Sequence, residues 1–280
     1  MEDSNYTTHV IIVIGMAAAG KSATIKALQK LNPYTINLDP AVLDTPYTPN
    51  IDIRETIDYM KLMEDYSLGP NGAIMTALNL LTTKFHDIIA LIKKRNPKYC
   101  VIDTPGQIEA FTWSASGQII METLASQFTV SIVYVVDSVK CEDPVSFMSN
   151  LVYACSIMYK SQLPFVLFFN KSDQTDATQL VKWMRDYDDF LEHLMEYDND
   201  GNYATDLARS MALMLEDFYK VLNVACGSSL KNDLDELLEK IEESKKDFED
   251  YKLMRSQAEQ NRRDRKAQDI TVELEGLNLQ

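Results

Sequence analysis

Eight residues, GMAAAGKS at positions 15–22, constrain this chain more than any other stretch. They match the pattern GxxxxGK[ST] and follow HVIIVIG, a short β-branched run that reads as a buried strand. Behind them KSATIKALQKL places Ile25, Leu28 and Leu31 at helical spacing. A strand, this loop and a helix in that order make a phosphate cradle, because the loop's N–H groups and the helix N-terminus all face one anion. Gly15, Met16, Ala17, Ala18, Ala19, Gly20 and Ala23 supply backbone to the cradle, Lys21 meets the β- and γ-phosphates, and the Ser22 hydroxyl coordinates Mg2+. A glycine-bounded turn that bound nothing would have no use for the Lys-Ser pair.

The rest of the chain repeats that alternation. YTINLD (34–39), KYCVID (98–103), SIVYVVD (131–137), PFVLFFN (164–170) and the weaker LNVACGSS (222–229) read as further strands, and a helix spans about 145–160. ETIDYMKLMEDY and AIMTALNLLTTKFHDIIALIKKR read as two helices between strands two and three, with GPNG between them. The predicted fold class is α/β: a three-layer P-loop NTPase fold with a mostly parallel central sheet, a helical insertion over 55–97 and a long C-terminal helix. The main domain is expected over 1–245, with a charged helix and short tail over 246–280. The charge pattern from Asp233 onward favours a solvated flank over a partner-binding arm. In such sheets ligands bind outside the carboxyl ends of the strands, where GKS, NLD, DTPG, VVD, NKSD and GSS all fall.

Composition narrows the function classes. A formal net charge of −15 argues against a general nucleic-acid groove. The acidic N-terminus MEDSNYTTHV resembles no signal or transit peptide, and no apolar run approaches the ~20 residues that span a bilayer. Four scattered cysteines without a CxxC pair predict reduced core thiols in a cytoplasmic setting. Three widely separated histidines make a histidine-based metal or catalytic site a poor expectation.

The other strand ends carry specific chemistry. Asp103, closing VIDTPG, is placed to hold Mg2+ directly or through water, while Gly106 lets the next loop approach a γ-phosphate. Gln107 can orient an attacking water and Glu109 can support it; either is otherwise a solvated loop side chain. Asn170, Lys171 and Asp173 of NKSD follow the apolar strand PFVLFF. A carboxylate at Asp173 accepts from the N1–H and exocyclic amine of guanine, whereas adenine presents an acceptor and no amine there. Asn170 and Lys171 brace the ring and the neighbouring loops. Gly227, Ser228 and Ser229 read equally as a loop that offers backbone amides to the guanine O6 and as a plain strand-end turn. Asp39 faces the same edge, engaging Mg2+ or the lytic water, or else capping the turn before Pro40. Arg54 reads more as a salt-bridge partner than a phosphate ligand. LGPNG, residues 68–72, reads from local physics as a helix–helix turn: a glycine at the C′ position, a proline stopping the helix, and Gly72 permitting re-entry.

Together GMAAAGKS, NLDPAV, PNIDIRE, LGPNGAI, VIDTPGQIEAFTWSASG, FMSNLVYACSIMYKSQLPF and NKSD resemble the GPN-loop GTPase family over roughly residues 9 to 250, most of all its eukaryotic first paralogue. The resemblance implies a homodimer, or a heterodimer with a sister GPN-loop GTPase, that hydrolyses GTP to GDP with Mg2+. It implies that Gly69, Pro70 and Asn71 of one subunit enter the partner's nucleotide site. It further implies that Asp39, Gln107 and Glu109 assist hydrolysis beside Asn71, and that Ser22 and Asp103 serve the metal. It also implies a role in assembly and nuclear import of RNA polymerase II, with passage between cytoplasm and nucleus. The chain departs from the family in the near absence of a long acidic C-terminal extension and in the AAA of its phosphate loop. NKSD weighs against an ATPase or kinase; the third reading is a scaffold whose bound nucleotide is not hydrolysed.

Overall fold

The computed structural model describes residues 8–197, 203–253 and 256–257. Seven strands form one sheet in the order β3-β2-β4-β1-β5-β6-β7, every ladder parallel. They are β1 (His9–Gly15), β2 (Tyr34–Asn37), β3 (Ile51–Asp52), β4 (Tyr99–Asp103), β5 (Thr129–Asp137), β6 (Phe165–Asn170) and β7 (Asn223–Cys226). The two-residue β3 is the strand the sequence does not announce. The helices are α1 (Lys21–Leu28), α2 (Tyr59–Asp65), α3 (Pro70–Thr83), α4 (Phe85–Arg95), α5 (Ile108–Thr112), α6 (Ala115–Gln127), α7 (Pro144–Ser161), α8 (Ala177–Arg185), α9 (Tyr187–Tyr197), α10 (Tyr203–Lys220) and α11 over residues 235–253. Residues 108–127 and 177–220, unassigned from sequence, supply α5, α6 and α8–α10. Among the described residues no helix is long and apolar enough to cross a membrane.

Central strands of a parallel sheet are covered on both faces, which is why β1 needs an unbroken apolar run. All seven residues of β1 are buried. Ile11 and Val13 face a layer made by Ile25 and Leu28 of α1 and by Leu234, Leu237 and Ile241. Val10, Ile12 and Ile14 face the other layer, where α3 through α9 contribute Leu78, Ile92, Leu124, Leu151, Trp183 and Phe190 among others. An aromatic knot locks that layer: the Phe147 and Trp183 rings meet edge to face at 5.2 Å, with Phe190 5.9 Å from each.

The C-terminal helix corrects the solvated-flank expectation. Leu234, Leu237, Ile241, Ser244 and Phe248, at alternating spacings of three and four, are at most 1 % exposed. Each fully buried leucine or isoleucine contributes roughly 1.5–3 kcal/mol, so α11 belongs to the core; a charged outer face conceals its apolar stripe. It runs unbroken across position 245, where the sequence suggested a boundary. The tail expected beyond it, from residue 258, lies outside the described residues.

LGPNG is also built differently from the predicted turn. Helix α2 closes with Ser67, not a glycine, in the left-handed conformation (φ 51°). The N–H groups of Ser67 and Leu68 return to the carbonyls of Glu64 and Met63, a double closure that satisfies the last carbonyls of α2. Gly69 is extended (φ −74°, ψ 168°) and caps α3, and Pro70 is that helix's first residue. Proline suits this position because its missing N–H would have no intrahelical partner. Pro70 therefore starts a helix instead of stopping one. The run 73–95 predicted as one helix breaks at Lys84 into α3 and α4.

Candidate functional site

Parallel register gathers the functional residues at one edge of the sheet. Asn37 pairs with Asp103, Gly15 with Val135, and Asp137 with Asn170, so the ends of β2, β4, β1, β5 and β6 are level. The phosphate loop opens there. Gly20 sits at φ 100°, and a Cβ added to it would lie 2.3 Å from Asn170 Nδ2; one added to Gly15 would lie 2.4 Å from the Val135 carbonyl oxygen. Both glycines are required by close approach as well as by the turn. Ala18 adopts φ 66°, the left-handed geometry of a loop whose N–H groups point inward.

The Lys21 ammonium folds over this loop, donating to the carbonyls of Gly15 at 3.0 Å and Met16 at 3.3 Å. Burial pushes its pKa down, while Asp103 and Asp39 pull it back up. Ser22 Oγ donates to Asp103 Oδ2 at 2.9 Å, and Tyr47 donates to the same oxygen at 2.7 Å. Asp103 Oδ1 is buried without a partner. Burial raises the Asp103 pKa, opposed by the Tyr47 and Ser22 hydroxyls and by Lys21. No cluster of three or more His, Cys, Asp or Glu that suits a metal occurs among the described residues. Magnesium does not require one: it takes one or two protein oxygens and completes its shell with water and phosphate. A hydroxyl and a carboxylate in contact, with one buried carboxylate oxygen unpartnered, fit that donor set. Ser22 and Asp103 are the residues that would hold Mg2+, which supplies charge neutralisation at a polyphosphate.

Asp39 ties two loops together, accepting from Ala41 N at 2.9 Å and from Gly106 N at 3.2 Å. It is thus both the local cap and a member of the phosphate-edge cluster. Thr104 Oγ1 donates to the Val13 carbonyl at 2.8 Å and fixes the start of the following loop against β1. Gln107 precedes α5 and is exposed. Glu109, also exposed, accepts from the Tyr153 hydroxyl on α7 at 3.3 Å. Arg54 forms a fork with Asp52, its Nη2 2.6 Å from Oδ2, and holds the carbonyls of Val42 and Leu43. It is the salt-bridge partner expected.

The NKSD residues tie the end of β6 to the phosphate loop and to the loop after β7. Buried Asn170 donates to the Ala19 carbonyl at 2.9 Å and accepts from Ser229 N at 3.0 Å. Lys171, in the left-handed conformation (φ 69°), pairs with Asp137 at 2.6 Å. Asp173 accepts from Ser228 Oγ at 2.5 Å, and that hydroxyl holds its carboxyl below the usual carboxylate range. The loop after β7 differs from its predicted role. The amides of Gly227, Ser228 and Ser229 donate to Phe169 O, Asp233 O and Asn170 Oδ1, so none is left for a base oxygen. Ser228 acts instead through its hydroxyl, and the Ser229 hydroxyl meets Thr24 of α1 at 2.7 Å.

Asn71 stands apart. It is exposed at the second position of α3, and its side chain has no hydrogen-bond partner among the described residues. The hydroxyl of Tyr59 reaches the Pro70 carbonyl at 3.3 Å. Two participants went unread in the sequence. Asp137 was signalled only as a strand-end aspartate, while Tyr47 lies in the irregular loop 38–50, whose marks are prolines.

Comparison with known proteins gives the arrangement its kin. Residues 13–248 match the family described as "Conserved hypothetical ATP binding protein". The chain is 48% identical over 250 residues to GPN-loop GTPase 1 of Dictyostelium discoideum, 46% over 258 to that of Saccharomyces cerevisiae and 42% over 265 to that of Schizosaccharomyces pombe. These alignments take in 86%, 86% and 89% of this chain and 62%, 67% and 72% of the relatives, which are longer. The fold superimposes on a solved GTPase in apo form from Pyrococcus abyssi, PAB0955, with a TM-score of 0.72 and 25% identity, covering 85% of this chain and 98% of that one. Matched over most of its length and carrying the phosphate loop on the common sheet edge, this chain belongs to the GPN-loop GTPase family.

Proposed function

We propose that this chain hydrolyses GTP to GDP and phosphate with Mg2+, as a dimer whose GPN segments complete each other's sites. One observation carries the guanine reading against the ATP in the matched family's description: Asn170 clamps the phosphate loop at Ala19 while Asp173, three residues on, presents a hydroxyl-buttressed carboxylate. An ionised carboxylate rewards a base edge with two N–H donors and rejects one without them. Hydrolysis is an in-line attack of water on the γ-phosphate, helped mainly by positioning and electrostatics. The loop amides and Lys21 hold the phosphates, and Asp39 and Gln107 orient the water. Glu109 joins them once it leaves Tyr153.

The dimer reading is supported by the build of α3. Its first N–H groups lack intrahelical partners, its positive dipole end suits an anion, and Pro70 rigidifies the segment. An exposed asparagine amide can donate to a phosphate and accept from a water at once. Mixing an Asn71→Ala chain with a Lys21→Ala chain tests action across the interface. Mixed dimers contain one site pairing intact Lys21 with the partner's Asn71, and phosphate release should recover to a measurable fraction of wild type. No recovery despite demonstrated mixing overturns it.

At the level of the cell we propose a nucleotide-dependent factor for assembly and nuclear import of RNA polymerase II, acting in cytoplasm and nucleus with a second copy or a sister GPN-loop GTPase. The first-paralogue resemblance of FTWSASG and FMSNLVYACS supports this. Polymerase retention on the immobilised chain should differ between GTP and GDP; absence of retention in both states would sink it.

A further inference from the structure

Tyr47 is the one member of the metal cluster that comes from an irregular loop. Its ring is buried against the α1 layer of the core, and its hydroxyl reaches Asp103, 56 positions along the chain. Together with Ser22 it saturates Asp103 Oδ2, while Oδ1 is sealed away without a partner. Two hydroxyls already donate to Oδ2, so a metal-bound water reaches that oxygen by replacing one of them. The loop that carries Tyr47 is anchored at its two ends, by Leu38 N on the Asp103 carbonyl, by Asp39 on Ala41 and Gly106, and by paired bonds between Asn50 and Thr35, whereas its middle, 42–49, makes few polar contacts among the described residues. Thr45 Oγ1 donates to the Tyr47 carbonyl at 2.9 Å, Arg54 holds Val42 and Leu43, and Leu43 itself is 98% exposed.

We propose that the Tyr47 hydroxyl occupies the place on Asp103 Oδ2 that a metal-bound water takes, so that metal binding displaces Tyr47 and releases the segment 42–49. Resting on the magnesium–guanine reading above, this makes Tyr47 a positioning residue that reports metal occupancy to the surface. It also sets a direction. Tyr47 competes with the metal, so removing its hydroxyl strengthens metal binding instead of weakening it. A tyrosine that merely oriented the carboxylate would do the opposite.

The test is Tyr47→Phe, which keeps the buried ring. Magnesium is titrated into chain plus a fluorescent GDP analogue, and the apparent metal affinity is read from nucleotide binding. The variant should bind Mg2+ about fivefold more tightly, the scale of one net hydrogen bond. Unchanged or weaker affinity overturns the inference. Hydrogen exchange on the wild-type protein gives a second reading that needs no variant: amides of residues 42–49 should exchange faster with Mg2+ and GDP than with GDP and chelator. Equal or slower exchange overturns it as well. If the wild type binds the analogue without any dependence on Mg2+, the nucleotide reading fails and takes this inference with it. If that dependence is present and Tyr47→Phe leaves it unmoved, only the displacement fails.

Discussion

The strand-end site and the start of α3 are built on opposite plans. At the strand ends the functional side chains are engaged within the chain: Lys21 on two carbonyls, Ser22 and Tyr47 on Asp103, Lys171 on Asp137, Ser228 on Asp173. Asn71, on the insertion, is exposed and its side chain has no hydrogen-bond partner among the described residues. The first plan is preorganisation, in which positions are fixed before a ligand arrives and little ordering is needed on binding. The second leaves the Asn71 amide open to a group from outside the chain, as the proposed dimer requires.

Two measurements press on this contrast, the larger effect first. Asp173→Asn replaces an acceptor by an amide that offers one donor group and one acceptor. Guanine-nucleotide affinity should fall by about 100-fold, because a base N–H is left facing a donor. A xanthine nucleotide, which carries a carbonyl in place of the exocyclic amine, should regain much of that loss in a competition assay. Equal losses for both bases would mean that the carboxylate shapes the loop and does not read the edge. Asn71→Ala should scarcely touch the fold. An exposed residue without partners lies among those whose replacement changes stability by less than about 0.5 kcal/mol, so thermal unfolding should be unaltered while turnover drops. A clear loss of stability would return Asn71 to the status of a turn residue and erase the comparison.

The parts legible in the sequence are those whose cause is local. HVIIVIG and PFVLFFN read as buried strands because both faces of a parallel strand are apolar, and the phosphate loop reads from its fixed residue spacing. Asn170 was expected to brace neighbouring loops, and it does so at Ala19 and Ser229. What escaped depends on partners distant in sequence. Tyr47 matters because of Asp103, and no pattern within loop 38–50 points there. The amides after β7 could not be recognised as engaged without knowing that Asp233 lies opposite Ser228. The GPN turn was misread for a different reason. Glycine and proline signal a break in the chain, and the break is real, but which side of it each residue serves depends on the closure made by Ser67 and Leu68. In α11 the apolar stripe at 234, 237, 241, 244 and 248 was present in the sequence and outweighed by its charges.

That helix also has a bearing on what this protein avoids becoming. β7 is the last strand of the sheet, and the outer rim of such a strand is where another chain's backbone can dock and polymerise. Glu236 of α11 takes the Cys226 N–H at 2.8 Å, and Asp247 takes the Asn223 side-chain amide at 2.9 Å. The same helix that roofs the sheet thus also occupies part of its rim, and a chain cut before residue 235 would lose roof and rim cover together.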